Sequence, residues 1–249
     1  MIRLVTLLLL LAMPAKAEEI VLGLSRDEVA ITATFEGSEI LIFGAIKRDA
    51  PVATEGDLGV IITVAGPDQP VTVRKKDRRL GIWVNTESVE VDVAPTFYAV
   101  ATNRPLPEIL TAAEDLNTRI STQRAVRSVG ASADSAQNFT DALIRIRGDQ
   151  GLYQTIPEGV SVAEESLFRA LIPLPANLTE GDYKAEIYLT RNKQIIDLYT
   201  TTIPVKKVGL ERWLYNLAHH QPFLYGLMSL SIAIAAGWGA SAAFSMFRR

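Results

Sequence analysis

The chain has no cysteine and only two histidines, His219 and His220, which are adjacent. The first absence excludes disulfide bridges, thiolate zinc, iron–sulfur ligation and cysteine nucleophiles. The second leaves no histidine cage for a metal, because neighbouring positions on a helix point about 100° apart. A basic surplus is also missing: 25 Lys+Arg against 28 Asp+Glu give a net charge of −3, unlike a dedicated nucleic-acid binder. The sequence contains no G-x-S-x-G, H-E-x-x-H, phosphate loop or G-x-G-x-x-G. Its serines have no histidine base nearby, since both histidines adjoin the apolar C-terminal run. Carboxylate pairs such as Glu114-Asp115 and Glu164-Glu165 read as solvent-facing charges, although carboxylates from distant strands could still meet in the fold. The expectation is a protein that is not an enzyme, with no cofactor and no metal.

What the chain has in excess is apolar residues, 48% against 21% charged, too many for one soluble globule of 249 residues. Two uncharged runs carry the surplus. Residues 1–17 combine Arg3, a ten-residue apolar core at 4–13, the helix-breaker Pro14 and Ala15-Lys16-Ala17, the pattern of a cleaved secretory signal. An uncleaved anchor is the alternative, but ten residues make about 15 Å of helix, half a hydrocarbon core. Residues 223–247 hold no charge and would extend about 37 Å as a helix, enough to span a bilayer with some tilt. Tyr225 near one end and Arg248-Arg249 at the other suit the two interfaces, as Trp213 does slightly upstream.

Together the two runs predict an orientation. A cleaved signal followed by a stop-transfer helix places residues 18–222 outside the cytoplasm and leaves 248–249 as a cytoplasmic tail. An A-x-A signal without cysteines fits a bacterial inner-membrane protein with a periplasmic domain. Setting aside Arg3, Lys16, Arg248 and Arg249 leaves 21 Lys+Arg against 28 Asp+Glu there, a net charge of −7. Within the span, Ser229, Ala233, Gly237, Ser241 and Ser245 recur every four residues. Such a smooth face lets helices approach closely in lipid, which predicts a membrane-protein partner or a homo-oligomer. The other explanation is that small residues are simply common in such segments.

The segment between reads as mainly β. Val29, Ile31, Ala33 and Phe35 alternate with Ala30, Thr32 and Thr34, and 40–46 is apolar on both faces, as in a central strand. Further strand-like runs at 60–64, 71–73, 82–84, 89–93 and 97–101 are punctuated by Pro51, Pro67, Pro70 and Pro95. Helical spacing then appears in Ile109, Leu110, Ala113, Leu116 and Ile120 behind Pro105 and Pro107. A polar linker at 121–134 leads to a second helix outlined by Phe139, Leu143, Ile144 and Arg147, with Gly148 as its C-cap. Strands return after Tyr153, and Leu178 to Tyr183 resembles the tyrosine corner of immunoglobulin-like sandwiches. Asn192-Lys193 suits a hairpin turn into 194–205. The expected fold is an immunoglobulin-like β-sandwich ectodomain at 18–206 with a helical insertion at about 105–148; two β modules flanking the helices are the alternative. Leu210, Trp213, Leu214 and Leu217 fall on one face of an amphipathic juxtamembrane helix at 207–222, ahead of the span at 223–247.

One charge cluster stands out. Arg74, Lys75, Lys76, Arg78 and Arg79 crowd around Asp77 between two strand-like runs. This is either a solvated hairpin tip or a contact for an anion: lipid headgroups, polysaccharide or an acidic partner loop.

The chain also resembles a family of alphaproteobacterial transmembrane proteins, Alph_Pro_TM. The resemblance rests on LGLSRDEVAITATFEGSEILIFGAI (22–46), GIWVN (81–85), PTFYAVATNRPL (95–106), LFRALIPLP (167–175), GDYKAEIYLTR (181–191) and GLERWLYNLAHHQPFLYGLMSLSIAIAAGW (209–238). It implies a membrane protein and no defined activity; an association of such proteins with sulfite-exporter-type permeases would make it a transport accessory. Two functional readings follow. One is a non-enzymatic, membrane-anchored periplasmic interaction domain, an accessory subunit of a membrane transporter. The other is a receptor domain that binds a ligand or the envelope through the basic loop or a sandwich groove.

Overall fold

A computed structural model describes residues 18–24, 28–31, 37–48, 57–127, 133–164, 166–208 and 210–247. The signal-like segment at 1–17, residues 32–36 of the expected N-terminal strand and turn, linker residues 128–132 and Arg248-Arg249 lie outside the described residues. The strands before the helical segment are β1 (Glu18–Leu24), β2 (Val29–Ile31), β3 (Ser38–Arg48), β4 (Leu58–Ala65), β5 (Asp68–Arg79), β6 (Ile82–Pro95) and β7 (Tyr98–Thr102). Then come helices α1 (Leu106–Ile109), α2 (Ala112–Thr118), α3 (Thr122–Ala125) and α4 (Ala133–Asp149). Strands β8 (Tyr153–Ile156), β9 (Val160–Ala163), β10 (Leu167–Leu174), β11 (Gly181–Arg191) and β12 (Gln194–Lys207) follow, and α5 (Leu210–His220) and α6 (Pro222–Phe247) close the chain. Contacts divide it into a larger unit, Met1–Val29 with Glu36–Val205, and a smaller one, Ala30–Phe35 with Lys206–Arg249.

The larger unit is mainly β, as the alternating apolar pattern predicts. One sheet has the order β1-β3-β10-β9 and a second β2-β12-β11-β4-β7-β8, while β5 and β6 form a hairpin of their own. Strands from either side of the helical segment share both sheets, since β3 pairs with β10 and β4 with β11. In β10, Phe168, Ala170, Ile172 and Leu174 are buried and the alternate residues exposed. Strand β4 is buried along nearly its whole length, so its continuous LGVIITVA run marks a central strand covered on both faces. The two sheets face each other where β10 contacts β7 and β9 contacts β4. On the far side of the six-stranded sheet, Ile61, Tyr98, Val100 and Tyr188 pack against Ile109, Leu110, Ile120, Phe139 and Leu143 from the helical segment. Each such side chain contributes about 1.5–3 kcal/mol by leaving water.

Local details show how the sequence makes these joins. Gly44 cannot carry a side chain: an added Cβ would lie 2.5 Å from both the Phe168 ring and the Val21 carbonyl oxygen. At the expected corner, Tyr183 is fully buried and its hydroxyl donates to the Thr179 carbonyl at 2.9 Å. Asn192 and Lys193 both take positive φ, which forms the predicted tight turn between β11 and β12.

The helical segment departs from the sequence reading in three respects, the first being that α3 (Thr122–Ala125) lies inside the expected linker at 121–134. One helix through Ile109 to Ile120 is expected, but the chain breaks at Thr111, whose hydroxyl accepts the Glu114 N–H at 3.2 Å and starts α2 afresh. Gly148 is not the cap of the next helix. That helix continues to Asp149, and Gly151, at φ +70°, makes the left-handed exit.

Tyrosine hydroxyls fasten the segment to the sheet. Tyr98 donates to the Ile120 carbonyl at 2.8 Å, and Tyr153 to the Pro95 carbonyl at 2.8 Å. The Arg147 guanidinium lies 5.3 Å from the Tyr153 ring centroid and also donates to that carbonyl. Burial pushes Tyr98 well above the usual phenol range. It pushes Tyr153 up to about 12, with Arg147 opposing. Burial, aided by the neighbouring Glu186 carboxylate, raises Tyr188 as well.

In the smaller unit, the Val208 N–H donates to the Ile31 carbonyl at 2.8 Å. The Gln221 N–H reaches the Leu217 carbonyl at 3.0 Å and the Tyr225 N–H reaches the Gln221 carbonyl at 3.1 Å, so bonding continues past Pro222. Proline fits there because the first helical position needs no N–H. Among the described residues, one helix is long and apolar enough to cross a membrane, over Pro222–Ala243, and none of its apolar stretch is buried inside the chain.

Candidate functional site

The span positions its small-residue face by helical geometry alone. Ser229, Ala233, Gly237 and Ser241 are exposed on α6 at four-residue spacing; Ser245 continues the row in sequence, its side chain outside the described ones. An added Cβ at Gly226, Gly237 or Gly239 would meet nothing within 4 Å. The Ser231 hydroxyl donates to the Leu227 carbonyl at 2.8 Å, so its polar group is satisfied within the helix. Trp213 and Tyr225, the expected interface residues, are exposed on α5 and α6, and Arg248 and Arg249 lie outside the described residues.

A second surface was not foreseen. Because 40–46 is apolar on both faces, β3 reads as a strand covered on both sides. Within this run Ile40, Ile42, Gly44 and Ile46 are buried, Leu41 and Ala45 are half-buried, and Phe43 points outward. Val21, Phe43, Leu167 and Leu171 are 44–57% exposed. Register makes them neighbours: Val21 and Leu167 flank Ala45 from opposite sides, and Leu171 lies opposite Leu41. The Phe43 ring covers Gly23, where an added Cβ would sit 2.6 Å away, and borders a shallow recess of about 360 Å³ with Leu167, Phe168 and Arg169. These apolar side chains share the sheet face with the exposed Arg169, which lies opposite Phe43.

The basic cluster is at an exposed hairpin end, as one expectation has it, but within a strand. Arg74, Lys75, Lys76, Arg78 and Arg79 are not a loop between strands; they belong to β5, and the turn is at Leu80-Gly81. The short runs at 71–73, 82–84 and 89–93 are pieces of two long strands. Both faces of the distal hairpin are solvent-exposed, so it shows no apolar alternation to extend the reading. Lys75 lies 3.6 Å from Glu87, and Arg79 lies 3.7 Å from Asp77. The Arg78 side chain donates to the Gly81 carbonyl at 3.4 Å. Nearer the core, Arg74, Lys75 and Glu87 face Asn138, Phe139, Arg145 and Ile146 of α4 across a cleft of about 440 Å³. Sequence reasoning missed Arg145 because its link to the basic strand exists only through packing.

One histidine of the pair, His219, is used locally. His219 stacks on Tyr215 with centroids 4.0 Å apart, and its Nδ1 lies 2.9 Å from the Tyr215 carbonyl. Among the described residues, no group of three or more His, Asp or Glu is placed to hold a metal.

With this geometry in view, comparison with protein families shows a match to the family described as "Putative transmembrane protein (Alph_Pro_TM)" over residues 19–246. No curated protein matches the chain.

Proposed function

The chain belongs to the Alph_Pro_TM transmembrane protein family, and from that membership we propose that it is a non-enzymatic, single-pass interaction module of the bacterial inner membrane. In this reading the β unit is periplasmic, residues 248–249 are cytoplasmic, and the protein serves as an accessory subunit of a membrane transporter. The observation that carries it is the row of apolar side chains Val21, Phe43, Leu167 and Leu171, each 44–57% exposed on one sheet face. A second contact is the row Ser229, Ala233, Gly237, Ser241, which offers a transmembrane neighbour a smooth surface.

Affinity isolation of the full chain in mild detergent tests the proposal. The expected result is co-isolation of a polytopic membrane protein. Gly237→Leu, which fills the smooth face, should reduce recovery by about fivefold or more. Phe43→Glu with Leu171→Glu should do the same from the sheet side. A strictly monomeric, partner-free protein contradicts it.

The cleft lined by Arg74, Lys75 and Arg145 favours a second reading, a receptor for a small anionic ligand. In that case the same preparation would bind anions with no protein partner.

A further inference from the structure

The tip of the β5–β6 hairpin joins part of the basic cluster to exposed apolar side chains, a combination that neither the partner contacts nor the cleft beside Arg145 uses. Leu80 is wholly exposed, and Trp83 and Ile82 are 68% and 64% exposed. Directly behind them, Arg79 pairs across the strands with Ile82 and Arg78 with Trp83, so both faces of the ribbon carry a cation beside an apolar side chain. Lys76 adds a third exposed cation one step further back, and Asp77 is the one acid between them.

The turn itself is unusual in the same direction. Leu80 has φ +51° and Gly81 φ +86°, the two left-handed positions of a tight hairpin turn. Asn, Asp or Gly occupies the first of these without difficulty, whereas a bulky apolar side chain is strained there. Leu80 therefore carries two costs with no compensation within the described chain: backbone strain and full contact with water. Backbone outliers of this kind point to a site of use.

We propose that this tip docks into the anionic surface of a lipid bilayer, with Leu80, Ile82 and Trp83 entering the headgroup region and Lys76, Arg78 and Arg79 pairing with lipid phosphates. Charge complementarity selects an anionic surface, and the apolar apex selects lipid. A soluble acidic polymer would neutralise the cations but leave Leu80 and Trp83 in water. At a bilayer surface, tryptophan is at home in the interface and each cation adds attraction to acidic headgroups. The contact goes beyond the protein-partner reading and does not depend on it.

The test uses the full chain with Trp213→Phe and Trp238→Phe, so that Trp83 is the sole tryptophan reporter. The protein is reconstituted in one arm into bilayers containing brominated phosphatidylglycerol. In the other arm it is held in neutral nanodiscs and mixed with vesicles of that lipid. The expected result is a blue shift of Trp83 emission and quenching by the brominated chains in at least one arm. Both effects should be absent with phosphatidylcholine alone and weakened by salt. Replacing Lys76, Arg78 and Arg79 together by Glu should lower the affinity for anionic lipid by about 100-fold or more.

Leu80→Asn separates docking from folding. It suits the turn better, so thermal stability should hold or rise while quenching drops. Recovery of a co-isolated membrane partner should stay unchanged, which keeps this contact distinguishable from the partner contact. Unquenched Trp83 in both anionic arms, equal quenching in neutral and anionic lipid, or a Trp83 response to a soluble acidic polysaccharide but not to vesicles would each overturn the proposal.

Discussion

Replacing Ile234 and Ala235 by arginine should remove the protein from the alkali-resistant membrane fraction. Within Pro222–Ala243 an 18-residue stretch has a mean hydropathy of 1.5, and none of it is buried inside the chain. Its stability as a helix therefore depends on lipid as the surrounding solvent. An arginine at the centre of a span costs roughly 2.5–3.5 kcal/mol, so the pair costs about 6 kcal/mol. No neighbouring acid can compensate, because residues 223–247 contain no charge of either sign. Leucine at both positions should leave membrane integration intact. Arginine at Met246, close to the end of the run, should also be tolerated, because its long stem can reach the interface. Carbonate extraction followed by immunoblotting measures all three. Full retention of the double-arginine variant would show that α6 is held by something other than lipid.

Raising the pH above about 10 should unfold the larger unit steeply. The free phenol titrates near pH 10, so the unfolded chain begins to lose its tyrosine protons there. In the folded unit, Tyr98 is held neutral well beyond that point by burial, and Tyr153 until about 12. Above pH 10 the native state binds more protons than the unfolded state, so stability falls as pH rises; below pH 10 the contribution is fully present and flat. Each retained proton is worth about 1.4 kcal/mol per pH unit, so these two tyrosines together remove about 3 kcal/mol per unit between pH 10 and 12. Tyr188 acts in the same direction.

A denaturant titration of the detergent-solubilised chain at pH 8 and pH 11 reads this loss, with absorbance at 295 nm reporting tyrosinate. Tyr98→Phe adds a reading that a merely weakened core would not give. It removes the bond to the Ile120 carbonyl and should cost about 1 kcal/mol at pH 8. Yet it should make the alkaline loss shallower by one proton. A pH-independent stability through pH 11 would show that these hydroxyls are not sequestered.

The sequence is most readable where one physical rule dominates. The span follows from an uncharged run of sufficient length, and β10 and β11 follow from a clean alternation of apolar residues. The Tyr183 corner and the Asn192-Lys193 turn follow from local chemistry that few residues satisfy. Reading fails where tertiary context decides. An apolar run such as 40–46 states that β3 has two apolar faces, but not that one of them lies open. The break at Thr111 depends on a side chain that takes a backbone bond, and the exit beyond Gly148 on a left-handed glycine, neither of which helical spacing registers. The long β5–β6 ribbon escaped because its distal half is exposed on both sides, and the exposure of Leu80 and Trp83 became visible only once the turn between them was located. The cleft beside Arg145 joins residues about seventy positions apart in sequence, and no pattern in the chain announces it.

The central claim is that the chain docks on a membrane-protein partner, and the α6 row of small residues is the contact that lies within the bilayer. Photo-crosslinking in native membranes tests it most directly, with a benzophenone amino acid placed singly at Ala233, Gly237, Leu230 or Ile234. The account predicts one discrete protein adduct from positions 233 and 237, with little or none from 230 and 234. Adducts of equal yield from all four positions, or adducts to lipid alone, would contradict it.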